Sequence, residues 1–140
     1  STFLNNSAER GSGGAIRLSS RSLIEKSVFS GNSAGRDGGA VSGSLNRIFR
    51  CVFFNNRASR NGGALRGTEY IEDSNFENNK AGEDGGAVSS SPLFVNNSHF
   101  ADNEAESQGG AINVNCVTSS CFSVDTSMIQ GSTFVRNSAA

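Results

Sequence analysis

The pair Phe-x-x-Asn occurs six times, as Phe3/Asn6, Phe29/Asn32, Phe53/Asn56, Phe76/Asn79, Phe100/Asn103 and Phe134/Asn137. A recurrence of this kind constrains the fold before any helix or strand is assigned. Each Asn is followed two positions later by Ala: Ala8, Ala34, Ala58, Ala81, Ala105 and Ala139. Five of the six units then run, after a short polar gap, into Gly-Gly-Ala and a branched aliphatic. The glycine pairs are Gly13 and Gly14, Gly38 and Gly39, Gly62 and Gly63, Gly85 and Gly86, and Gly109 and Gly110. Five residues before each Phe except the first stands Ile24, Ile48, Ile71, Val95 or Ile129, and two before each stands a small residue, Ser or Cys51. The Phe-to-Phe spacings are 26, 24, 23, 24 and 34 residues.

Within each unit the small residue and the Phe alternate with variable positions, which is strand periodicity, and no 11-residue stretch carries a helical apolar stripe. Three short strands per ~24 residues, divided by Gly and Asn corners, predict a right-handed parallel β-helix of about six coils spanning 1–140 as one domain. Equivalent residues then stack at the strand spacing. Phe over Phe makes an axial column, and the Asn column bonds amide to amide while answering corner carbonyls that would otherwise be buried unpaired. The Gly-Gly pair suits a corner needing positive φ or close backbone approach. A distorted leucine-rich repeat competes at a similar period, but three Leu positions would be replaced and no helix-forming return segment follows Gly-Gly.

Composition agrees with a thin core. Only 35% of residues are hydrophobic and Trp is absent. The formal net charge of -1, from 12 Lys+Arg against 13 Asp+Glu, removes the large charge that disorder needs and gives no reason to expect nucleic acid, an anionic membrane or an acidic substrate. No apolar run reaches the ~18–20 residues of a membrane-spanning helix.

The combination of FxxN with GGA(I/V/L) across essentially the whole chain resembles the repeats of the chlamydial polymorphic outer-membrane protein family. The resemblance implies a β-helix passenger region with an adhesin-like role at a cell envelope. The 140 residues themselves contain no segment resembling that family's C-terminal autotransporter barrel.

The repeat breaks in the last interval, where about ten extra residues between Ile112 and Ile129 predict an inserted corner loop over 113–128. It contains Cys116 and Cys121, whose four-residue gap suits a disulfide and so an oxidising compartment, while Cys51 is expected buried and free in the Ser column. A zinc site is not expected, since the lone His99 sits apart from these thiols. Ser1-Thr2-Phe3 is in phase with Ser132-Thr133-Phe134, and the chain stops at Ala140 before another Gly-Gly is due. This predicts an internal section of a longer solenoid, or one that stacks end to end on neighbouring coils of another chain.

For chemistry, Asp37, Asn61 and Asp84 on successive coils form the densest polar column before Gly-Gly, a conceivable calcium or sugar site but more simply turn chemistry. Arg50 beside Asp73 and Arg60 beside Glu83 read as solvated pairs across coils. No nucleophile triad or phosphate loop can be assembled, and neither cofactor nor metal is expected. Val28, Phe49, Val52 and Phe54 are expected to point outward and form an apolar partner face. Asn5 and Asn96 fit the N-glycosylation acceptor pattern. The expected function is a non-enzymatic, surface-displayed or secreted solenoid that contacts a protein or glycan. The alternatives are an accessory scaffold subunit of a larger assembly and a β-helix carbohydrate-active enzyme.

Overall fold

The computed structural model describes residues 1–91, 93–114 and 127–140. Among the described residues every strand pairing is parallel, and the strands wind into a β-solenoid with three faces. Face A is a six-stranded sheet built from the Phe segments: Thr2–Leu4, Val28–Ser30, Val52–Phe54, Asn75–Glu77, His99–Ala101 and Thr133–Val135. Face B follows each ladder Asn with a two-residue strand ending in the repeat Ala: Ser7–Ala8, Ser33–Ala34, Arg57–Ala58, Lys80–Ala81, Glu104–Ala105 and Ser138–Ala139.

Face C is less regular. The post-glycine strand and the Ile strand are fused into one element in the second and third coils, Val41–Phe49 and Leu65–Glu72. Elsewhere they are separate, as Ile16–Arg17 and Leu23–Glu25, Val88–Ser89 and Phe94–Asn96, and Ile112–Asn113 and Met128–Gln130. Faces A and B therefore carry six rungs and face C five, giving about five complete turns where six coils were expected.

Strict register places like over like. Phe3, Phe29, Phe53, Phe76, Phe100 and Phe134 pair in order, with ring centroids 4.7–4.9 Å apart and planes within 5° of parallel. The strand spacing sets that separation. The four central rings are fully buried, Phe3 is half-buried, and Phe134 at the last rung is 43% exposed. Ile48, Ile71 and Val95 form a second buried column, and Val41, Leu65 and Val88 a third. The core is thus three apolar columns, closed at the corners by Ala and Ser.

The corner columns hold the backbone together. In each interior rung the ladder Asn side-chain oxygen accepts from both the N–H and the side-chain amide of the Asn one coil earlier, as Asn79 Oδ1 does from Asn56 at 3.0 Å for each bond. The Asn amide also donates to the Phe carbonyl of the preceding coil, as Asn56 does to Phe29 at 3.0 Å. The column is fully bonded from Asn32 to Asn103 and extends to Asn6 and Asn137. Ser74, Ser98 and Ser132 accept the N–H of the previous rung and donate to the carbonyl two residues back. Cys51 occupies this column, buried, its Sγ donating to the Phe49 carbonyl at 3.3 Å. Burial pushes its thiol pKa up.

The glycine pair serves two separate needs. Gly38 has φ +63°, in the left-handed region, whereas a Cβ on Gly39 would lie 2.0 Å from the Gly63 carbonyl oxygen of the next coil. The same division recurs at the other four pairs.

Two further left-handed columns occur. One precedes the Ser column (Lys26, Arg50, Asp73, Asn97, Gly131) and the other precedes the Asn ladder (Asn5, Gly31, Asn55, Asn78, Asp102, Arg136). Asn, Asp and Gly tolerate this conformation best, and they fill most of these sites.

Candidate functional site

Residues on either side of the inward Ile column point outward and repeat every coil. On face C this produces two parallel outward columns. The first runs Leu23, Arg47, Tyr70, Phe94, Met128 and the second Glu25, Phe49, Glu72, Asn96, Gln130, each in strand register. Between them the backbone of Ile48, Ile71 and Val95 floors a groove of about 390 Å³. A second hollow of about 460 Å³ shares Leu23, Arg47 and Tyr70 and extends to Arg21, Ser22 and Glu69.

One wall of the groove is aromatic and cationic. Tyr70 and Phe94 stack at 5.0 Å and 14°, and the Arg47 guanidinium lies 5.3 Å from the Tyr70 ring centroid. Contacts of this kind contribute on the order of 0.5–1 kcal/mol at exposed sites and hold long side chains upright. The other wall is polar, with the Asn96 amide donating to Glu72 at 3.5 Å, while Phe49 lies under the Arg50 guanidinium at 4.6 Å. Leu23 is 60% exposed, Met128 54% and Tyr70 39%, so apolar surface is open to solvent along the groove.

Of the residues expected to form an apolar partner face, Phe49 lines this groove, half-buried. Val28 and Val52 lie in register on face A, 39% and 38% exposed, and Phe54 is half-buried in a different outward column of that face. The four are split between two faces by the corner at Arg50 and Cys51, and the only direct register contact among them is Val28 with Val52. The larger groove residues Tyr70, Phe94, Arg47 and Leu23 escaped the sequence reading. The available signal was a bulky side chain immediately before each Ile of the inward column.

The Asp37, Asn61 and Asp84 column is occupied by turn bonding. Asp37 Oδ1 accepts from the Asn61 amide at 3.0 Å and the Asn61 N–H at 3.3 Å, and Asp84 Oδ1 accepts the Gln108 N–H at 3.1 Å. Among the described residues no three His, Cys, Asp or Glu side chains converge as a metal site. Arg50 meets Asp73 at 3.6 Å and Arg60 meets Glu83 at 3.4 Å. The shortest pair joins two left-handed corners: Arg136 donates two bonds of 2.7 Å to Asp102, holding that carboxyl below its ordinary pKa.

The strand Ile112–Asn113 before the inserted segment and the strand Met128–Gln130 after it both belong to face C. Cys116 and Cys121, and the disulfide expected between them, lie outside the described residues.

The Chlamydia polymorphic membrane protein repeat family matches the chain four times, over residues 1–19, 26–44, 50–68 and 73–91. Each matched segment runs from the start of face A through face B and the glycine pair onto face C. Each of the first three ends before the outward groove residues Leu23, Arg47 and Tyr70, and the fourth before Phe94. No curated protein and no solved structure matches the chain. With more than half of its residues inside four successive repeats, each spanning most of one coil of a parallel β-solenoid, the chain belongs to the Chlamydia polymorphic membrane protein repeat family.

Proposed function

We propose that this chain is a non-enzymatic, surface-displayed solenoid that contacts a protein or glycan partner through the groove on face C. The observation that carries the reading is the pair of outward columns, Tyr70 and Phe94 facing Phe49, Glu72 and Asn96, on a scaffold whose inward positions are fully occupied by ladders. Surface location is supported by the family, which is described as a membrane protein repeat.

Within the groove's second column, the placing of Glu25 and Glu72 supports recognition rather than hydrolysis. Glu25 and Glu72 are two rungs apart in the same column, and Phe49 stands between them where an activated water would have to sit. Aromatic rings beside carboxylate and amide groups serve recognition instead, since rings supply apolar contact at little conformational cost and the polar wall fixes orientation.

The test is binding of the fluorescently labelled chain to fixed cultured cells. The Tyr70→Ser/Phe94→Ser variant should bind at least about tenfold more weakly, the equivalent of roughly 1.4 kcal/mol, with its melting transition retained. Unchanged binding by that variant would remove face C as the contact surface.

A further inference from the structure

The near-zero net charge conceals a strong segregation along the solenoid axis. The first three coils, residues 1–72, hold ten of the twelve Lys and Arg with five Asp and Glu, a balance of +5, whereas residues 73–140 hold two against eight, a balance of -6. In a globular fold such a division would be scrambled in space. Here each coil occupies its own slab at about the strand spacing, so position along the chain becomes position along the rod.

The seam between the halves is neutralised. Arg50 and Arg60 of the third coil pair with Asp73 and Glu83 of the fourth. The remaining bases of the first coils make no ion pair among the described residues, and Arg17, Arg21, Lys26 and Arg47 are all exposed. Arg17 and Arg66 share one outward column of face C with Ser42 between them, roughly 10 Å apart. Arg21 and Arg47, with Glu69 as the one acid beside them, line the hollow that shares Leu23, Arg47 and Tyr70 with the groove, and Lys26 stands at the corner where face C turns into face A.

Resting on face C as the contact surface, we propose that the first three coils dock an anionic polysaccharide, one carrying sulfate or carboxylate groups along its chain. Its charged groups meet Arg17, Arg21, Lys26 and Arg47, and its sugar rings lie against the apolar wall at Tyr70. The acidic coils beyond the seam repel the same ligand and so confine it to one end. A linear, flexible polyanion fits better than a duplex or a planar membrane because the bases continue around the rod, with Arg57 on face B and Arg36 at the corner before the glycine pair.

The experiment is retention of the chain on immobilised heparin, compared with a sulfopropyl exchanger of matched charge density. The wild-type chain should elute from heparin at the higher salt concentration. The Arg17→Ser/Arg21→Ser/Arg47→Ser variant should lose that difference, with the slope of log affinity against log salt falling by roughly three. Glu104→Gln/Glu106→Gln, on the acidic half, should leave retention unchanged or raise it. All of these side chains are exposed, and a retained melting transition verifies the fold of each variant. Elution at the same salt from both resins, or retention indifferent to the triple substitution, would overturn the proposal. So would equal or tighter binding to duplex DNA. If heparin retention is absent while Tyr70→Ser/Phe94→Ser still weakens cell binding, the polyanion fails and the contact surface stands. Retention that needs the arginines, with cell binding indifferent to the aromatic pair, would instead leave the basic coils as an anion site and remove the groove.

Discussion

Faces A and B differ from face C in what they permit. From the Ile column to the Phe column is five residues in every coil, and from Phe to the repeat Ala is again five. Across face C, the distance from the post-glycine aliphatic to the next Ile or Val is eight residues from Ile16, seven from Val41, six from Leu65, seven from Val88 and seventeen from Ile112. Nearly all variation in repeat length is absorbed there, through register shifts between Val41–Phe49 and Leu65–Glu72 and through the inserted segment. The reason is physical. A one-residue slip on faces A or B would turn every buried Phe, Asn and Ala outward, while face C has room between its two fixed columns to bulge. A surface that tolerates length change without losing the core is the one free to vary its chemistry, and the groove and much of the basic cluster lie on it.

Substitutions on the two kinds of face should therefore separate by size of effect. Phe76→Ala, in the middle of the fully buried ring column, should destabilise by about 3–5 kcal/mol in denaturant unfolding. Asn56→Leu should cost about 3 kcal/mol, because it strands the Asn32 and Phe29 groups bonded to its side chain and gives up the amide bond it donates to Asn79. A neutral result for Asn56→Leu would mean the Asn column does not hold the coils together. On face C, Tyr70→Ser should cost only about 1 kcal/mol in the same measurement, through lost contact with Phe94 and Arg47.

Buried polar residues sharpen the contrast. Thr68, 1% exposed, places its Oγ1 within face C with no hydrogen-bond partner among the described residues, unlike every interior ladder Asn. Thr68→Val should thus be neutral or stabilising by up to about 1 kcal/mol, and a loss as large as that of Asn56→Leu would contradict the distinction. Lys26, in the left-handed region at φ 46°, should gain about half a kcal/mol of stability on replacement by Gly, as strain relieved exceeds entropy added to the unfolded chain.

The smallest effect concerns acid. Arg136 holds the Asp102 pKa below its unfolded value of about 3.9. The pair's contribution is therefore present above that pH and lost as pH falls through the lowered folded value. NMR titration should find Asp102 ionising below the ordinary carboxylate range, and Arg136→Gln should return it there.

The scaffold was legible because Phe, Asn, Ala and Gly-Gly each answer one geometric need that no other side chain meets as well, so they repeat visibly. The left-handed corner before each ladder Asn was equally open to reading, since Asn5, Gly31, Asn55, Asn78 and Asp102 fill it and only Arg136 departs. The corner before the Ser column was harder, because Lys26 and Arg50 accept the strained conformation there and disguise the pattern. The groove could not be read from repetition, because its outward positions are the ones free to differ from coil to coil. The charge segregation was hidden by summation, since a balance of -1 over the whole chain says nothing about where along a rod the charges lie.

A paired insertion tests the division between faces most directly. A single serine placed between Gly43 and Ser44 enters face C, and one placed between Val52 and Phe53 enters face A. Thermal unfolding of the first should remain cooperative with a loss of about 1 kcal/mol or less, while the second should abolish the cooperative transition by throwing Phe53 and Asn56 out of register. Equal losses from the two insertions would contradict the account.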